Sequence, residues 1–210
     1  MNGTVVKNQL IFDFASGSLG PSKSIFTSTY LYLNSKASRL NRTFENLLGD
    51  NLILNNEVPV ENLKYSDCIS GLKKADPVKN SDDLSPISKL VGPLSKIKWK
   101  QVYKGFSEFT FKTDDNDELK LIKMDPGSSV PLHSHGGKEY ILVLDGSFYD
   151  EYGNYYKGDI QINDQKIKHT PIASKDKGCV CLTITEKEVI FFGKYGSFLN
   201  LFTFIKSFFK

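Results

Sequence analysis

The chain has 3 histidines. Two of them, His133 and His135, stand in one short run. On a strand, residues two apart share a face, so both imidazoles would point the same way. Glu139 follows after Gly136-Gly137, and His169 comes after the next hairpins. Three imidazoles and one carboxylate suit a divalent transition metal, with room left for water or an exchangeable group. An isolated H-x-H on an edge strand often arises by chance, so the weight falls on the wider spacing. From Gly127 the run reads G-x5-H-x-H-x3-E-x6-G, ending at Gly146, and Gly158-x10-His169 adds a donor from a separate strand. Each glycine falls where a hairpin should turn, and Asp145-Gly146 predicts one strongly.

The 3 cysteines are too few for a disulfide scaffold. Cys179 and Cys181 lie two apart on a predicted strand, so both thiols face one side, and a bridge between them would distort it. They are either redox groups or small apolar residues in a core. With Cys68, they point to a reduced, cytoplasmic chain. Its first residues lack the basic stretch and apolar core of a signal peptide. No run of about 18 clean apolar residues predicts a membrane span.

The elements that must position these groups fall into two halves. The chain has 210 residues, 40% hydrophobic and 24% charged, ordinary globular composition. A net charge of +3 argues against direct nucleic-acid binding. All but Arg39 and Arg42 of the 27 basic residues are Lys, so recognition through bidentate Arg forks is mostly closed off.

Residues 1–75 read as a small helical domain. Apolar residues crowd over Leu10–Leu19 and stop at Gly17-Ser18. Pro21 suits a new helix's first turn. From Ser24 an apolar stripe runs through Ile25, Tyr30, Leu33, Leu40 and Phe44, in two segments broken near Asn34–Lys36 and ended by Gly49-Asp50-Asn51. A shorter helix is expected to hold Val60, Leu63, Cys68, Ile69 and Leu72. So small a set needs a partner or the next domain to bury its stripes. Residues 76–94 are expected as a linker, and 95–210 as a β-rich domain. There, short strands (Lys100–Tyr103, Ser107–Lys112, Leu119–Met124, Tyr140–Leu144, Gly146–Tyr149, Cys179–Thr185) alternate with turns, including Gly153-Asn154, predicting a sandwich or barrel. The apolar tail Ser197–Lys210 has helical spacing and is expected to pack on its own domain or on a mate in a homodimer.

The run PGSSVPLHSHGGKEYILVLDG resembles the first motif of the cupin superfamily at every motif position. The second motif is half present: Gly158 and His169 keep their separation, while Asp164 and Lys166 replace the usual Pro and Gly. The resemblance spans about Ser95–Glu186 and implies a jelly-roll barrel with a metal in its mouth. It makes His133, His135, Glu139 and His169 the ligands, with zinc first among the ions and iron, manganese or nickel as alternatives.

Two further stretches, LVLDGSFYDEYGNYYKGD and HTPIASKDKGCVCLTITE, are similar to the cupin half of ChrR-type anti-sigma factors. DFASGSLGPSKSIFTSTYLYLNSKASRL is similar to their helical half. The resemblance implies an α+β two-domain chain, a small N-terminal helical domain followed by an all-β cupin jelly-roll barrel. It also implies sequestration of an extracytoplasmic-function sigma factor by the helices and its release on oxidative stress. The chain departs from the family at one place. Tyr30, Asn34 and Ala37 occupy the positions of the family's H-x3-C-x2-C motif, and no His precedes His133. None of these side chains replaces thiolate and imidazole, so apolar packing must hold the helical half. Two other functions share the metal signal: a cupin metalloenzyme of dioxygenase or isomerase type, and a metal or small-ligand binding module. No motif places a further general acid or base, and a catalytic cupin does not need the helices.

Overall fold

The computed structural model describes residues 3–54 and 86–193, together with Gly196 and Asn200. The helix expected around Val60–Leu72, Cys68, and nearly all of the tail from Ser197 lie outside these residues.

Three helices open the described chain: α1 (Gly3–Ala15), α2 (Pro21–Leu33) and α3 (Ser35–Leu54). Pro21 opens α2, as its fixed φ favours. Gly20 at the N-cap has no side chain to satisfy the first turn. Asp115, from the loop between Thr110 and Glu118, does so instead: its Oδ2 accepts the Ser22 N–H at 2.8 Å and its Oδ1 accepts the Ser22 hydroxyl at 2.5 Å. Asn34 separates α2 from α3. Its N–H closes α2 on the Tyr30 carbonyl, and its Oδ1 accepts the Ala37 N–H at 3.1 Å. The expected stop at Gly49-Asp50-Asn51 is not observed, since α3 continues to Leu54. One Gly inside a helix costs only about 1 kcal/mol, too little to end it alone. Residues 87–91, within the segment expected as a linker, form the short helix α4 (Ile87–Val91), and Ile87 is fully buried.

Ten antiparallel strands follow: β1 (Lys100–Tyr103), β2 (Phe106–Thr110), β3 (Glu118–Met124), β4 (His133–His135), β5 (Glu139–Asp150), β6 (Gly153–Tyr156), β7 (Ile160–Asn163), β8 (Ile172–Ala173), β9 (Cys179–Thr185) and β10 (Val189–Phe191). The main path runs β1-β2-β3-β9-β5-β6, with β7 and β8 also on β5, while β4 pairs with β10. Two expected turns are corrected. Asp145-Gly146 lies inside the unbroken β5, where the register against β9 shifts between Val143 and Asp145. This bulge bends β5, so its first half pairs with β7 and its second with β6 and β8. Gly146 takes φ +69, and a Cβ there would strike the Gly178 carbonyl, so glycine is required by fit, not by a hairpin. The next turn lies at Glu151-Tyr152, two residues before the expected Gly153-Asn154, because Asp150 Oδ1 accepts the N–H groups of Tyr152 and Gly153.

Alternation along β5 and β9 sends side chains into two cores. Tyr140, Leu142, Leu144, Leu182 and Ile184 join Leu10, Ile11, Phe26, Tyr30 and Ala37 of the helices in one cluster. Ile141, Val143, Cys179 and Cys181 lie on the other face with Met124 and Phe148. The helices therefore bury their stripes on the sheet, and Phe26 meets Tyr140 edge to face at 6.0 Å. Of the three residues expected to stand in place of a zinc motif, Tyr30 and Ala37 pack in this shared core and Asn34 caps a helix. Gly158 lies under the end of α2, with φ +86 and room for a Cβ only 3.3 Å from the Leu33 carbonyl oxygen. Polar contacts reinforce the seam. Lys23 of α2 pairs with Glu186 at 2.8 Å and Asp117 at 3.2 Å. Burial works against its charge, but these carboxylates outweigh it and raise its pKa.

Candidate metal centre

The sequence-predicted donors come from three places. His133 and His135 lie on β4, Glu139 opens β5, and His169 forms an antiparallel bridge with His133. β4 has no apolar side chain of its own. It is held on one edge by β10, with Val189 opposite His135 and Phe191 opposite His133, and on the other by the His169 backbone. All four side chains are buried, and one donor atom from each lies within 4.8 Å of the others. Metal–nitrogen bonds of about 2.1 Å place ligands of one ion roughly 3–4 Å apart, so small adjustments suffice to share a single cation.

Hydrogen bonds fix which ring nitrogens face inward. His133 Nδ1–H donates to the Pro131 carbonyl at 2.8 Å, and His169 Nδ1–H donates to Asp150 Oδ2 at 2.9 Å. Both Nε2 atoms are thereby aimed at the centre, only 3.1 Å apart. Two imidazole lone pairs at that distance repel unless a cation lies between them. Glu139 Oε2 supplies the negative charge, 3.1 Å from His135 Nε2 and 3.3 Å from His169 Nε2. Both ring nitrogens of His135 are buried without a hydrogen bond. Such an orphan is costly in a dry site, and coordination by a metal would satisfy one of them. The residues present fit a divalent ion.

Without a metal, a proton serves instead. Burial opposes charge on His169, yet Asp150 and Glu139 outweigh it and raise its pKa to about 9. Burial, reinforced by the neighbouring imidazoles, lowers His133 to about 4. The His169 imidazolium then faces the neutral His133 ring. A metal bound here would displace that proton.

Sequence reasoning missed the supporting groups. Asp150 holds His169 and also accepts Gln161 Nε2–H at 2.7 Å. Asn163 Nδ2–H donates to Glu139 Oε2 at 3.0 Å. Partners of this kind fix ligand orientation and tautomer. Asn163 stands directly opposite Glu139 in the β5–β7 register, so correct strand pairing would have found it. Nothing in the sequence near Asp150 marks it. Cys179 and Cys181 are buried in the apolar cluster with sulfurs 4.0 Å apart, about twice a disulfide bond. The hydrogen bond that Cys181 donates to Cys179 and its burial both raise the Cys181 pKa, keeping it a thiol. This favours the packing role over the redox role.

Comparison with known proteins places these features together. Residues 88–188 match the ChrR cupin-like domain family. The chain is 28% identical to the anti-sigma-E factor ChrR of Cereibacter sphaeroides over 204 residues, covering 92% of each chain. It also resembles the crystal structure of Rhodobacter sphaeroides SigE in complex with the anti-sigma ChrR, with a TM-score of 0.71 and 27% identity. That likeness covers 85% of this chain and 96% of the other. The β-rich half thus has a cupin-like fold preceded by helices, and the resemblance to ChrR-type anti-sigma factors runs through both halves. No helix among the described residues is long and apolar enough to cross a membrane.

Proposed function

We propose that this chain is a cytoplasmic anti-sigma factor. Its helical half sequesters an extracytoplasmic-function sigma factor, and its β-rich half binds one divalent metal, zinc first, through His133, His135, Glu139 and His169. Oxidative stress releases the partner. The metal acts in sensing rather than in turnover, so the enzyme and ligand-module readings take second place. The observation that carries this reading is the likeness to ChrR over 92% of the chain, helices included. A resemblance confined to the barrel would fit any cupin. The helices that pack on the sheet leave some apolar surface uncovered: Val5 is 59% exposed and Phe12 39%. Such a face suits a protein partner.

The experiment is capture of the sigma factor by the full chain, combined with elemental analysis of the native protein. One sigma factor and one metal per chain are expected, together with inhibition of sigma-dependent transcription in a purified system. Val5→Asp should weaken capture without unfolding the chain. A full chain that captures no sigma factor and leaves transcription untouched overturns the regulatory reading. Metal content unchanged in Glu139→Ala overturns the ligand set.

A further inference from the structure

A single carboxylate joins helix α2 to the loop between His135 and Glu139. Lys23 Nζ lies 2.8 Å from Glu186 Oε1. The other oxygen, Oε2, accepts the Lys138 N–H at 3.1 Å, and the Glu186 N–H donates to the Lys138 carbonyl, also at 3.1 Å. Glu186 thus grips Lys138 at both its N–H and its carbonyl, and Lys138 directly precedes the Glu139 donor. The loop lies flush against this residue, because a Cβ on Gly137 would come within 3.0 Å of Glu186 Cβ. Tyr140, on the far side of Glu139, donates its hydroxyl to the same Glu186 Oε1 at 3.4 Å, and Lys23 stands 5.6 Å over its ring.

We propose that Glu186 is a positioning residue that couples the metal centre to helix α2, through Lys138 on one side and Lys23 on the other. The inference rests on the metal and sequestration readings above and supplies the regulation of that same site. A metal that draws Glu139 toward the three imidazoles moves the Lys138 peptide. Glu186 must then follow or give up its hydrogen bond, and Lys23 must follow Glu186. The coupling is reciprocal at equilibrium: if bound metal favours the docked α2, the docked α2 favours bound metal by the same factor. The link is a continuous set of contacts, and its test is whether both ends respond.

The test uses the full chain and zinc. Backbone amide hydrogen exchange across α2 is compared between zinc-loaded and chelator-stripped protein. Zinc should slow exchange in α2 at least about fivefold, the low end for coupled sites. In Lys23→Met that difference should shrink to within about twofold, although one zinc is still bound. Lys23→Arg keeps the cation and should keep the response. Glu186→Gln cuts the link from the other end, keeping an acceptor for Lys138 while removing the charge that holds Lys23. Zinc affinity, read by equilibrium competition with a chromogenic chelator, should fall in Lys23→Met and Glu186→Gln, and not in Lys23→Arg. Equal zinc protection of α2 in wild type and Lys23→Met overturns the proposal. So does an α2 indifferent to zinc in a wild-type chain that binds it. If no zinc binds and His135→Ala matches wild type, the metal reading itself fails and takes the coupling with it.

Discussion

Phe26→Ala tests whether helices and barrel are one cooperative unit. Phe26 is fully buried in the shared cluster and meets Tyr140 edge to face at 6.0 Å. Truncating a fully buried Phe to Ala costs about 3–5 kcal/mol, and the lost aromatic pair places this site near the middle of that range, at about 4 kcal/mol. For a chain of this size, each kcal/mol lowers the melting temperature by about 2–4 °C, so a drop of roughly 8–16 °C is expected. Two probes report on the two halves. Helical circular dichroism follows α1–α3. The fluorescence of Trp99, the chain's only tryptophan, follows the edge of the cluster near β1. Both should shift together in a single transition, measured at equal metal loading. A helical signal that melts early while Trp99 fluorescence holds its wild-type midpoint would refute the shared-core argument. So would a loss below about 1 kcal/mol, which is too small for a fully buried ring.

Asp150→Asn should weaken metal binding about 10–100-fold in a chelator competition, the usual effect of losing such a partner. Oδ2 accepts from His169 and Gln161 while Oδ1 accepts two backbone N–H groups, so an amide must turn its NH2 toward donors on one side. Asp115→Ala should cost about 1 kcal/mol by chemical denaturation, as loss of a helix cap does. Partial burial works to raise the Asp115 pKa, but the hydrogen bonds from Ser22 outweigh it and hold it below the ordinary value. The contribution is therefore complete above the unfolded carboxylate pKa of about 3.9 and disappears as pH falls through the lower folded value. The gap between wild type and variant should persist at neutral pH and close in strong acid. Gly146→Ala should destabilise by about 1–3 kcal/mol, since it forces a side chain into left-handed backbone and against the Gly178 carbonyl. A wild-type midpoint in thermal unfolding would contradict the bulge assignment.

Much of the candidate centre was legible from residue types and spacing. The candidate donors His133, His135, Glu139 and His169 lie within 4.8 Å of one another, and the two on β4 share a face because period two on a strand is a local rule that survives folding. The Pro21 helix start and the break at Asn34 were readable for the same reason. Turn signals were less dependable. Asp-Gly at 145–146 supplies a positive φ, and chain chemistry alone does not distinguish a hairpin from a bulge. Pairing with β9 decides for the bulge.

Local composition and spacing thus set the helical and β-rich halves and the donor types of the candidate centre. Those features depend on side-chain identity and short separations along the chain. Tertiary folding assigned the rest: the helical stripes cover the outer face of the sheet, Asp115 caps a helix 93 residues away, and Asp150 and Asn163 orient the donors. It also made Glu186 the bridge between α2 and the loop beside Glu139. Each of these joins residues far apart in the chain through contacts a few ångströms long, and such pairs leave no trace in local periodicity.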